Sequence, residues 1–130
     1  MTYLLIAIGS AIGGVARHGA GAWIALRFGQ TFPWGTLAVN VLGSFAIGVA
    51  AALIAAPQRA GNADFVREFL MIGFLGGFTT FSAFSLQTLQ LLRDGKVALA
   101  AANVVASMLI CLIAVAAGYV IAARFSAAAG

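Results

Sequence analysis

Four apolar runs constrain what this chain can fold into. They cover roughly residues 3–26, 34–56, 66–92 and 97–123, each near the about 20 residues that carry a helix across a bilayer. Inside hydrocarbon the backbone finds no water, so each run must satisfy its own amide groups as a helix. Short polar or helix-breaking stretches separate the runs: Arg27 to Pro33, Pro57 to Phe65, and Arg93 to Lys96. Pro33 suits a loop just ahead of a helix start, and Phe32 and Trp34 suit a membrane interface. The last link is so short that the third and fourth helices must be antiparallel neighbours. Charged residues make up 8% of the chain and mean hydropathy is +1.08. Soluble domains carry about 25% charged residues, so this chain could not clothe a water-facing surface. The expected fold is an all-α membrane protein with one four-helix transmembrane domain over residues 1–130.

Net charge is +4, from seven Lys and Arg against three Asp and Glu. The basic residues are scattered singly, which fits helix-end anchors and forms no nucleic-acid patch. An even number of spans puts both termini and the 57–65 loop on one side, with Arg59, Arg67 and Arg124. The other side carries Arg27, Arg93 and Lys96, and Arg17 lies within the first helix. Three against three gives the positive-inside rule nothing to act on. Charge alone leaves two readings open: a chance balance, or dual topology, with copies inserted both ways up and paired. The first run lacks a basic leader and is too long for a signal-peptide core, so residue 1 is read as the mature start. A four-helix protomer is too small to enclose much of a pore by itself, so an oligomer is expected.

Polar groups at membrane depth are the informative residues. Thr36, Asn40 and Ser44 recur every fourth residue of the second run and share one helix face. Asn103, Ser107 and Cys111 recur in the same way in the fourth run. Phe81 and Phe84 stand three apart in the third, as do Ser82 and Ser85, with Gln87 three beyond Phe84. Serine and threonine in membrane helices often bond back to their own carbonyls. An asparagine amide is harder to bury without partners, so Asn40 is either a tie between helices or part of a polar path. Polar stripes on two helices favour the path. The second and fourth runs and the interior of the third hold no Asp, Glu, Lys, Arg or His. Proton-coupled carriers usually place a titratable group at depth, and cation pores favour carboxylates or carbonyl rings. N–H and O–H donors, with phenyl edges that carry partial positive charge, suit an anion.

Small residues mark close helix approach. Gly9 and Gly13 form a GxxxG pair, repeated one residue on by Ser10 and Gly14. The most specific stretch is Gly73 to Ser82, reading GFLGGFTTFS. Glycine weakens a helix by about 1 kcal/mol relative to alanine, so the adjacent Gly76 and Gly77 favour a break in the middle of the third span over the alternative, a close helix crossing with no break. Broken backbone at that depth survives only when buried in protein or lining a cavity, where freed carbonyls can hold a small hard cation. His18 and Cys111 are too isolated to form a catalytic pair, no metal or phosphate motif occurs, and no enzyme is expected.

The runs Gly13 to Arg17, Pro33 to Asn40 and Gly73 to Ser85 resemble the Fluc family of fluoride channels, also called CrcB proteins. The resemblance covers all four runs, and the GFLGGFTTFSAFS stretch is its most specific part. It implies an antiparallel, dual-topology homodimer in the bacterial inner membrane, with two separate fluoride pores and passive export of cytoplasmic fluoride, which protects against its toxicity. It implies that Phe81 and Phe84 present ring edges to the ion, that Asn40 lines the pore from the second helix, and that Ser107 belongs to a polar track on the fourth. Thr36 and Ser82 would extend the pore lining, and Arg17 would sit near an aqueous vestibule. Backbone carbonyls of Gly76 and Thr79 would hold a structural sodium ion at the dimer interface.

Three positions depart from the family pattern. Ala83 stands where a threonine is expected, Gln87 where glutamate is frequent, and Cys111 where some members carry serine. The phenylalanines, Asn40 and the glycine pair are untouched, so selectivity should survive. Small multidrug carriers share the four-helix, dual-topology plan but use a buried glutamate, and the first run here contains none. A structural subunit without transport of its own is the other rival.

Overall fold

The computed structural model describes residues 1–55 and 63–128. Arg59, most of the loop from Pro57 and the end of the second run at residue 56 lie outside the described residues. Four helical spans are each long and apolar enough to cross a membrane. Helix α1 is Thr2–Phe28 and α2 is Trp34–Ala55. The third span is segmented: α3 (Ala63–Phe65), a π-helical stretch π1 (Val66–Leu75), α4 (Gly76–Phe78) and α5 (Phe81–Arg93). The fourth, α6, is Val97–Ala128. It runs past residue 123, where the apolar pattern fades, because hydropathy marks where a helix meets lipid and not where its hydrogen bonds end.

Two devices hold the spans together. The first is the removal of side chains. A Cβ at Gly9 would lie 2.5 Å from the Phe69 carbonyl oxygen, and one at Gly13 would collide with that of Phe74. A Cβ at Gly77 would lie 2.5 Å from the Ser10 carbonyl oxygen. The GxxxG pair of α1 therefore packs within the chain, backbone to backbone, on π1 and α4. Its one-residue echo does less: Ser10 reaches the Gly73 carbonyl at 3.4 Å, and Gly14 faces open space. On the other side Gly48 and Gly118 let α2 and α6 meet in the same way.

The second device is polar. The C-terminus of α5 closes in a Schellman turn: Gly95 adopts φ 73°, Lys96 N–H donates to the Leu91 carbonyl at 2.9 Å and Gly95 N–H to that of Leu92 at 3.1 Å. Glycine takes this left-handed conformation without steric cost. The turn folds α6 back beside α5, as the short link requires.

The irregularity of the third span falls two residues beyond the place the glycine pair suggested. Gly76 keeps helical dihedrals (φ −63°, ψ −38°), whereas Thr79 (φ −86°, ψ 159°) and Thr80 (φ −154°, ψ 118°) are extended. Gly77 serves the close approach to α1, its Cβ position facing the Ser10 backbone, while Gly76 stays exposed in helical backbone. The threonines are β-branched and suit extended backbone, and Thr80 then caps α5, its Oγ1 accepting from Ala83 N–H at 3.1 Å.

Candidate functional site

The extended pair would leave dangling backbone groups, and Asn40 on α2 takes them up. Its Nδ2 donates to the Thr80 carbonyl at 3.0 Å and its Oδ1 accepts from Thr80 N–H at 2.7 Å. This pairing fixes which way the amide points, because the reverse would set donor against donor. An amide nitrogen carries two donors, so one N–H of Asn40 remains. Thr80 is 9% exposed, and its Oγ1 also lies 3.2 Å from Ser82 Oγ. A side chain from another span thus replaces the missing helical bonds.

Asn40 opens onto a groove of about 390 Å³ between α2, the third span and α6. Ser44, Gly76, Thr79, Thr80, Phe81, Phe84, Ser107 and Cys111 also line it. The Phe81 and Phe84 rings lie 5.2 Å apart, tilted by 47°. Phe84 is 6% exposed and Phe81 68%, so one ring is embedded and the other stands out from the chain. No Asp, Glu, Lys, Arg or His lines this groove. Its chemistry is an amide, hydroxyls, a thiol, ring edges and backbone.

A second, wider cavity of about 810 Å³ contains Arg17, His18, Thr36, Ser82, Gln87, Asp94 and Lys96. Arg17 Nη1 reaches the Thr79 carbonyl at 3.5 Å. Asp94 and Lys96 pair at 3.3 Å, both well exposed. Thr80 borders both spaces.

The candidate residues therefore fall into two groups. Asn40, Phe81, Phe84, Ser107, Gly76 and Thr79 share the groove, while Arg17, Thr36 and Ser82 share the wider cavity. Periodicity put Thr36 on the face of Asn40 and Ser44, but one helical turn carries it past the threonine pair into the other space. Two residues gain importance from the structure. Thr80 was visible only as part of the glycine-threonine stretch. Asn103, placed in the Ser107 stripe by its spacing, borders neither cavity and donates instead to Thr88 Oγ1 at 2.9 Å.

A family model described as CrcB-like protein, Camphor Resistance (CrcB), matches residues 4–119. The chain belongs to the CrcB family. A relative from Opitutus terrae named fluoride-specific ion channel FluC is 51% identical over 128 residues, covering 98% of this chain and 97% of the relative. One of the same name from Methylocella silvestris is 49% identical over 122 residues, 94% of this chain and 93% of the relative. Fluoride-specific ion channel FluC 3 of Brucella suis is 47% identical over 116 residues, 89% and 87% of the two chains. Family membership and the four apolar spans make this CrcB chain a multi-pass membrane protein.

Proposed function

We propose that the protein is a fluoride-selective channel that lets cytoplasmic fluoride leave passively, as an antiparallel dual-topology homodimer of the bacterial inner membrane with two pores. The observation that carries this reading is the groove in which Asn40, Phe81, Phe84 and Ser107 converge with no Asp, Glu, Lys, Arg or His. The names of the FluC relatives support the choice of ion.

Fluoride is small and strongly hydrated, so a dry passage must replace its water with donors. The free N–H of Asn40, the Ser107 hydroxyl and the ring edges of Phe81 and Phe84 offer these in turn. Each is weak enough to let the ion go, as conduction demands. A neutral lining also avoids the tight ion pair that a lysine or arginine would form. The path runs from the wider cavity, where Arg17, Thr36 and Ser82 meet the incoming ion, past Thr80 into the groove. There the positive charge of Arg17 raises the local anion concentration.

The pairing of two copies is supported by what one copy leaves open. Phe81 projects at 68% exposure beside exposed Gly76, and an aromatic ring so placed gains from a partner surface. The third span would then be broken in mid-membrane at Thr79 and Thr80. Thr80 N–H would be the helical partner of the Gly76 carbonyl but is held by Asn40, so that oxygen is free for another ligand. A structural sodium ion at the dimer interface would be held by the Gly76 carbonyl and by the Thr79 carbonyl, the latter also 3.5 Å from Arg17 Nη1.

The deciding experiment is efflux from liposomes holding only the purified protein, with fluoride and chloride measured side by side. Fluoride release without chloride release is expected. If folded protein releases neither ion, the channel reading falls and a non-conducting membrane subunit replaces it.

A further inference from the structure

We propose that Asn103 is a positioning residue for Phe84 and acts through Thr88; the inference rests on the channel reading for its effect on flux. Three observations carry it. Asn103 is 2% exposed, the most deeply buried polar side chain among the described residues. Its Nδ2 donates to Thr88 Oγ1 at 2.9 Å, across from α6 to α5. Thr88 Oγ1 in turn donates to the Phe84 carbonyl at 2.8 Å.

The last bond alone would mean little, since threonine in a helix often bonds back one turn. The first bond is different. A threonine hydroxyl has one proton and two lone pairs. The proton is committed to Phe84, so the oxygen can take Asn103 only as an acceptor. The two bonds are thus directional and compatible, and they run from α6 to the backbone that carries the Phe84 ring. An amide this dry has no water to fall back on, so sliding or turning α5 would strand it.

Ser107 stands one turn along α6 from Asn103 and lines the groove, as Phe84 does from α5. The Asn103–Thr88 bond therefore sets the register between the two helices just where each contributes a group to the path. Asn103 borders neither cavity, and its bonded partner lies on α5. Its influence passes through the placement of Phe84.

The test uses the full-length protein with 4-fluorophenylalanine at position 84 for ¹⁹F spectroscopy in detergent, and unlabelled protein for liposome flux. The variants are Asn103→Leu, the near-isosteric Thr88→Val, and Thr88→Ser, which keeps the hydroxyl. Asn103→Leu and Thr88→Val should each lower fluoride flux about tenfold, and their combination should cost no more than the worse single change. Both should move the residue-84 resonance, and Thr88→Ser should restore position and flux. In a Phe84→Ile background, Asn103→Leu should add no further loss. An unmoved resonance in Thr88→Val, or a full additional loss in the Phe84→Ile background, overturns the proposal. Should the parent protein pass no fluoride, the channel reading fails by itself, and the resonance still decides whether Asn103 places Phe84.

Discussion

The two halves of the third span are held by opposite means. The first half, through π1 and α4, lies against α1 because side chains are missing: Gly9, Gly13 and Gly77 let backbones touch. The second half, α5, is held because side chains are present: Asn40 grips Thr80 at its start and Asn103 grips Thr88 further along. A steric fit of the first kind tolerates changes of polarity but no added bulk. A hydrogen-bonded fit of the second kind tolerates small changes of shape but no loss of a partner. The candidate site lies where the two meet, at Thr79 and Thr80. The glycine-packed half gives the α5 end a fixed base, and the polar ties aim its rings.

The glycine-packed half is most vulnerable at Gly13. A leucine there would drive its Cβ into the Phe74 carbonyl, and overpacking of a tight contact costs about 1–3 kcal/mol even where side chains can yield. Backbone yields less. Gly13→Leu should abolish monodisperse protein on size exclusion, whereas Gly14→Ala, which meets open space, should leave it unchanged. Equal behaviour of the two variants would mean that the glycine contact does not hold the halves together.

The next largest effect belongs to Asn40. Asn40→Leu strands the Thr80 N–H and carbonyl, at about 1–3 kcal/mol for each buried group left unpaired. It also removes the donor facing the groove. Folded protein should persist, since α1 and the glycine contacts are untouched, but fluoride efflux should fall about 100-fold or more. Retained efflux would show that the extended pair keeps its shape without the amide.

The residues that made the glycine contacts and the ring pair legible were those whose meaning is local. Apolar length gives the four spans, spacing puts Phe81 beside Phe84, and GxxxG marks a close approach whatever the partner. What spacing cannot supply is the neighbour. Gly76 and Gly77 looked like the weak point because glycine destabilises helices, yet both stay helical, Gly77 packed on Ser10 of α1, and the extended residues are Thr79 and Thr80. Asn40 and Thr80 are 40 residues apart, so no periodicity couples them. Asn103 shares a stripe with Ser107 but reaches sideways to α5, because a buried amide goes where an acceptor is. The larger part of the helix plan was therefore readable in advance, and the division of the polar residues between two cavities was not.

Within the polar half, the two rings should separate stability from conduction. Phe84 is embedded and Phe81 projects, so Phe84→Ile removes packing as well as a ring edge, while Phe81→Ile removes little packing within the chain. Both should lower fluoride flux about tenfold or more while folded protein persists, and Phe84→Ile should also lower the thermal midpoint in detergent. Unchanged flux in both variants would refute the assignment of the phenylalanines. Equal midpoints would mean that the buried ring contributes no more to the fold than the projecting one.

The smallest effect is expected at Arg17, which stands between the halves. It rises from α1, the partner of the glycine-packed half, into the wider cavity and reaches the Thr79 carbonyl at 3.5 Å. If its role is electrostatic, its charge matters and its hydrogen bond matters little. Arg17→Gln should then lower flux only about threefold at low ionic strength, and the difference should vanish near 1 M salt, where the screening length is about 3 Å. Arg17→Lys, which keeps the charge but not the guanidinium geometry, should behave as the parent does. A loss that persists in high salt and appears equally in the lysine variant would instead make Arg17 a tie to Thr79, and would extend the hydrogen-bonded half of the molecule one helix further than the comparison now places it.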